Sequence, residues 1–142
     1  MAAARSAEPA GYSGTPLVQK LGIKPAMVVA LLGAPEGFDD LLVGLPDDVT
    51  IRRRAQGHLD LALSFQTERS VLEKRLPTVL KALDRAGALW VAWPKKASKV
   101  PTDITEDTVR EVVLPLGLVD VKVCAIDPTW SGLKIMWRRE NR

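Results

Sequence analysis

The chain has 142 residues, 46% of them hydrophobic and 26% charged, and a formal net charge of +3. That length makes one domain, and the balance excludes wholesale disorder, collagen-like repeats and low-complexity scaffolds. The longest apolar run, Met27 to Ala34, is far short of the roughly twenty residues that a membrane span requires.

Met1 to Gly14 is rich in Ala, Ser and Gly without periodicity and reads as a mobile N-terminal tail. Residues 15–142 are left as a single domain. Arg5 has no long apolar core behind it, so the start does not read as a secretory signal. Thr15-Pro16 reads as an N-cap and first helical proline, followed by Leu17, Val18 and Leu21 on one side and a stop at Gly22. Met27 to Leu32 is apolar on both faces, as in a strand covered on each side. Gly33 to Gly37 is a turn, and Phe38 to Val43 a short helix closed by Gly44 and Pro46.

Val49 to Arg54 and Leu59 to Phe65 read as strands. Thr67 is expected to cap a long helix with Leu72, Leu76, Val79, Leu80 and Leu83 on one face, kinked or broken at Pro77 and ended by Gly87. Ala88 to Trp93 is another buried strand. Thr105, with Glu106 and Asp107 after it, caps the next helix, and Ile104 and Val109 can staple it. That helix ends near Pro115 to Gly117. Val119 to Ile126 and Leu133 to Arg138 are joined by Asp127 to Gly132 as an antiparallel hairpin.

Buried strands alternating with amphipathic helices predict an α/β fold, a small Rossmann-like three-layer sandwich whose sheet is mostly parallel with a C-terminal antiparallel hairpin. One segment resists this scheme. Only four residues, Ala55 to His58, separate Val49–Arg54 from Leu59, and neighbouring parallel strands need a crossover of about a dozen residues. The expectation is an edge hairpin there.

Ligands of open α/β sheets gather at the carboxyl ends of the parallel strands. Four loops leave such ends: 33–37, 66–68, 94–100 and 127–132. They supply Gly33, Glu36, Gly37, Thr67, Lys95, Lys96, Ser98, Asp127, Trp130 and Ser131 as candidate ligand-binding residues. Lys95 and Lys96 bring positive charge, Trp130 a flat apolar platform, and helix N-termini after Pro35 and Thr67 further partial charge. The set suits an anionic small molecule, a nucleotide or phosphorylated metabolite.

Other chemistry is poorly supplied. The single histidine, His58, enters a strand at the opposite rim and reads as a surface or capping residue, which removes Ser-His and Cys-His catalysis. The single cysteine, Cys124, reads as a small buried hydrophobe; it excludes an internal disulfide and suits a reducing cytoplasm. Trp90, Trp93 and Trp137 fall on strand patterns. Metal-ligand spacing, a P-loop and a GxGxxG pattern are absent. Arg52 to Arg54, Lys95-Lys96 with Lys99, and Arg138-Arg139 with Arg142 read as solvated surface charge, and without a continuous stripe they argue against nucleic acid.

Leu21-Gly22-Ile23-Lys24-Pro25 before a buried strand, then Gly33 and Gly37, together with the closing helix, strand and hairpin, resemble a shortened Rossmann-like methyltransferase. The glycine loop reads Gly-Ala-Pro-Glu-Gly rather than alternating glycines. Ala30 and Leu31 stand where that family carries an acidic residue, and Arg52 to Arg54 where a carboxylate would hold ribose hydroxyls. These departures speak against S-adenosylmethionine as the ligand. The run Ala88 to Thr102, continued by Asp103, Thr105-Glu106, Gly117 to Asp120, Lys122 to Ala125 and Thr129 to Leu133, resembles the bacterial family catalogued as domain of unknown function 3052. That resemblance implies a small cytoplasmic bacterial protein and carries no reaction.

The expectation from sequence is therefore a non-catalytic binding module for an anionic small molecule at the Lys95-Lys96 rim. The alternatives are an enzyme, either degenerate methyltransferase-like or one in which Lys95 or Lys96 polarises a carbonyl or phosphate with Asp127 as base, and a protein-interaction module using the same rim.

Overall fold

The computed structural model describes residues 14–142; the N-terminal segment read above as a tail lies outside the described residues save for Gly14. Six strands form one sheet: β1 (Val28–Leu32), β2 (Thr50–Arg52), β3 (Leu59–Phe65), β4 (Leu83–Pro94), β5 (Leu118–Ala125) and β6 (Trp130–Trp137), in the order β2-β1-β3-β4-β6-β5. The first four strands in this order run parallel, and β6 is antiparallel to both β4 and β5. The α/β class and the C-terminal hairpin are as expected from the sequence.

Strand periodicity divides the core in two. Leu61, Leu63 and Phe65 of β3, with Trp90 and Ala92 of β4, face helix α1 (Leu17–Leu21). Ala62, Leu89, Val91 and Trp93 face helices α2 (Arg69–Ala82) and α3 (Glu106–Val113) on the other side. Because side chains alternate along a strand, continuous apolar runs fill both layers. Trp90 is wholly buried, and its indole N–H donates to the Leu21 carbonyl at 3.0 Å, which ties α1 down.

The segment expected as an edge hairpin is corrected. β2 is parallel to β1, with Thr50 beside Val28 and Arg52 beside Ala30. β1 lies between β2 and β3, so the rule for adjacent parallel strands does not apply. β2 has only three residues, so residues 53–58 need cover little distance on the way back. They cross β1 on the α2 side, where Ala55 packs against that core. The link from β1 to β2 carries only a 3-10 turn, Phe38–Leu41, in place of the expected helix to Val43; Phe38 is buried on the α1 side.

Three helix-end expectations are also corrected. α1 starts from Pro16 with no side-chain cap, not from a Thr15 cap. α2 starts after Glu68; Thr67 is not its cap, and the Asp103 carboxylate accepts the Arg69 backbone N–H at 2.7 Å instead. α2 runs through Pro77 without interruption and ends at Ala82, before Gly87. Gly87 lies inside β4, where a Cβ would sit 2.6 Å from the Asp60 carbonyl oxygen; glycine permits that close approach. Thr105 does cap α3, reciprocally with Thr108, and Ile104 and Val109 are buried together beside it. On the outer strand β5 the register with β6 shifts between Asp120 and Lys122, a bulge at Val121.

Candidate functional site

β1, β3 and β4 end at a common rim, and Pro94 pairs with Trp130, so the hairpin bend stands beside the exit of β4. The Lys95 N–H donates to the Thr129 carbonyl at 2.7 Å and fastens the two loops together. The four loops therefore meet at one edge of the sheet, as the topology requires.

A cavity of about 660 Å³ opens on the α2 side of this rim. Leu32 and Gly33 from the end of β1 and Ser64, Phe65 and Gln66 from the end of β3 make its floor. Residues 53–56, crossing back over β1, form one wall, and α2 forms the other with Val71, Lys74, Arg75, Thr78 and Val79. The sequence makes this space in two ways: the connection from β2 to β3 has no helix to fill it, and Ser64 is small. Gly33 adopts φ +69°, and a Cβ there would lie 3.3 Å from the Phe65 carbonyl, so β1 and β3 end in close contact.

Charge in the cavity has one sign. Arg53, Arg54, Lys74 and Arg75 line it, and no Asp or Glu does. The Arg53 guanidinium reaches out to Asp39, at 3.0 Å for one of its two contacts. This pairing holds the Asp39 carboxyl below its ordinary value and keeps Arg53 more firmly protonated. Among the described residues, Arg54, Lys74 and Arg75 have no ion-pair partner. At the floor, buried Gln66 donates from its amide to Ser64 Oγ at 2.9 Å, leaving the Ser64 hydroxyl proton to give to another acceptor. Such an arrangement can hold an anion against cations while an apolar portion rests on Leu32, Val71 and Val79.

Of the residues expected from sequence, Gly33 lines this cavity and the other nine do not. Glu36 and Gly37 are exposed in the loop after β1. The Thr67 carbonyl accepts bonds from Thr102 Oγ1 at 2.7 Å and from the Asp103 N–H. Lys95 and Lys96 stand at the exit of β4, with Ser98 Oγ donating to the Lys95 carbonyl at 2.6 Å. Asp127 Oδ1 accepts the N–H groups of Thr129 and Trp130 at 2.8 and 2.7 Å, and so shapes the hairpin bend. Trp130 meets Phe65 edge-on at 5.0 Å, and Phe65 meets Phe38 in the same way. Its ring belongs to this aromatic row rather than standing as an open platform. Ser131 lies in β6 opposite Trp93. The expected contribution of helix N-termini is corrected as well: Asp103 already occupies that of α2, and after Pro35 there is only a 3-10 turn.

The cavity's cations escaped the sequence reading because Arg52–Arg54 has the look of ordinary surface charge. The available signal was a cationic cluster following the β-branched run Val49-Thr50-Ile51, with Lys74-Arg75 on a helix. Only the crossing of 53–56 over β1 brings these groups together.

No family model matches the chain, and no curated protein does. Solved structures do. A SAM-dependent methyltransferase from Aquifex aeolicus superposes with a TM-score of 0.62 at 14% identity, over 86% of this chain and 88% of that one. The ribosomal protein L11 methylase of Lactobacillus delbrueckii subsp. bulgaricus gives 0.57 at 13% identity, over 87% and 75%. Magnesium protoporphyrin IX methyltransferase from Synechocystis PCC 6803, with bound SAM, gives 0.56 at 11% identity, over 86% and 74%. At such identities the likeness shows the fold: the chain has the Rossmann-like architecture of methyltransferases in shortened form. The residues present do not fit the cofactor equally well. S-adenosylmethionine carries a cationic sulfonium, and this cavity presents four cations and no carboxylate to accept ribose hydroxyls.

Proposed function

We propose that this methyltransferase-like domain binds an anionic small molecule, a nucleotide or phosphorylated metabolite, in the rim cavity. The observation that carries the proposal is the single-signed lining: Arg53, Arg54, Lys74 and Arg75 with no acidic residue among them. Hydrogen bonds to charged partners each contribute about 1.5–3 kcal/mol. Loss of two such contacts would therefore weaken binding at least about a hundredfold. Calorimetric titration with ATP and with AMP, on the native chain and on Arg54→Ala/Lys74→Ala, tests this. Equal affinity in both proteins, or no binding to either nucleotide, counts against it. A parallel Lys95→Ala/Lys96→Ala variant measures whether the ligand extends along the rim to the exit of β4.

A second reading, a methyltransferase-like enzyme, is supported by the shared fold with proteins described as SAM-dependent or SAM-bound. Titration with S-adenosylmethionine and S-adenosylhomocysteine separates the two readings, since only the enzyme reading expects saturable binding of both. Kinship with the domain of unknown function 3052 family, and with it a cytoplasmic site of action, belongs to the same proposal. It is supported by the run Ala88 to Thr102. Among the described residues no helix is long and apolar enough to cross a membrane.

A further inference from the structure

On the opposite face of the sheet from the cavity, three lysines converge, and among the described residues no carboxylate pairs with them. Lys122 of β5 and Lys134 of β6 are direct cross-strand neighbours, and Lys134 Nζ reaches to within 3.8 Å of where a Cβ on Gly22 would stand. Lys24 follows two residues after Gly22, in the segment that Lys134 Nζ approaches. Cys124, two residues further along β5 and so on the same face, feels Lys122 and also Lys20, whose Nζ donates to the Ala125 carbonyl at 3.0 Å. Lys20 is thereby engaged with the backbone. Lys24, Lys122 and Lys134 have no ion-pair or hydrogen-bond partner for their ammonium groups among the described residues.

This arrangement works against the fold. Like charges directly opposite on paired strands are destabilising, and Lys134 is half-buried. Burial, followed by Lys122 and Lys24, holds its ammonium below the ordinary lysine value. By contrast, Arg110 is neutralised by Glu106, Asp107 and Asp120, and Arg69 by Glu73 and Glu111. An unpaired cluster that lowers stability fits a group kept for a ligand, because binding residues commonly trade stability for function.

We propose that Lys24, Lys122 and Lys134 form a second anion site, independent of the rim cavity, that takes the phosphate or pyrophosphate group of a small molecule. Compactness favours a small molecule over a nucleic-acid backbone, which would follow a stripe of cations. The test uses inorganic pyrophosphate and a single-stranded oligonucleotide as probes in an Arg54→Ala/Lys74→Ala background, so that the rim cavity cannot answer for the lysines. Calorimetry should show pyrophosphate binding that Lys122→Gln/Lys134→Met weakens by about tenfold or more. The same substitutions should raise the melting temperature of the unliganded protein, because they relieve repulsion. Pyrophosphate affinity unchanged by the substitutions, no pyrophosphate binding at all, or binding of the oligonucleotide alone overturns the proposal. A lowered unliganded melting temperature also overturns it, since the lysines would then be structural.

Discussion

At the residue scale, His58 and Asp84 show how a polar pair can fasten an irregular stretch of sheet. His58 Nε2 lies 3.0 Å from Asp84 Oδ1, with Asp60 Oδ1 at 3.9 Å. Asp84 Oδ2 accepts the Ala86 N–H and Asp60 Oδ2 the Val28 N–H, both at 2.8 Å. The hydrogen bond to Asp84 raises the His58 pKa, and the same bond lowers that of Asp84. A raised histidine contributes stability fully below its unfolded value, near 6.5, and loses it as pH climbs through the folded value. A lowered carboxyl contributes above its unfolded value, near 3.8, and loses that as pH falls. The pair therefore stabilises most between about pH 4 and 6.5. His58→Ala should lower the melting temperature at pH 5.5 and leave it nearly unchanged at pH 9. An equal loss at both values contradicts this assignment.

At the element scale, α2 is held by features whose effects oppose each other. The Asp103 cap comes from a loop 34 residues downstream, so the start of α2 and the approach to α3 are tied together. Asp103→Ala should remove about 1 kcal/mol of stability in chemical denaturation, the usual value of a helix cap. Pro77, exposed in the middle of α2, leaves one helical carbonyl without its backbone partner. Pro77→Ala should add about 2–3 kcal/mol by the same measurement, because an interior proline costs about that much. These elements also mark how far the sequence can be read. Paired apolar faces revealed β1, β3 and β4, and the Thr105 cap revealed α3, because periodicity and capping are local. The cap of α2 was hidden because its donor and acceptor are far apart in the chain. The direction of β2 was hidden because a three-residue strand carries no periodicity of its own. The rim was legible from strand order, whereas the cavity was not: it exists only through the passage of Arg53–Gln56 across β1.

At the scale of the whole molecule, two apolar cores lie on either side of one sheet and share its central strands. Alternate residues of β3 and β4 enter each core, so neither layer can be lost while the other keeps its backing. Unfolding should be a single cooperative step, with near- and far-ultraviolet circular dichroism transitions coinciding along a denaturant series. Two separated transitions would show that the α1 layer melts alone. The margins of the sheet bear on how copies of the protein meet. The bulge at Val121 interrupts the outer ladder of β5, and the far margin is the three-residue β2. Neither offers a long, flat row of open amides on which a second molecule could add strands. In crowded solution, growth of fibrils by edge-to-edge stacking thus lacks a template at either end.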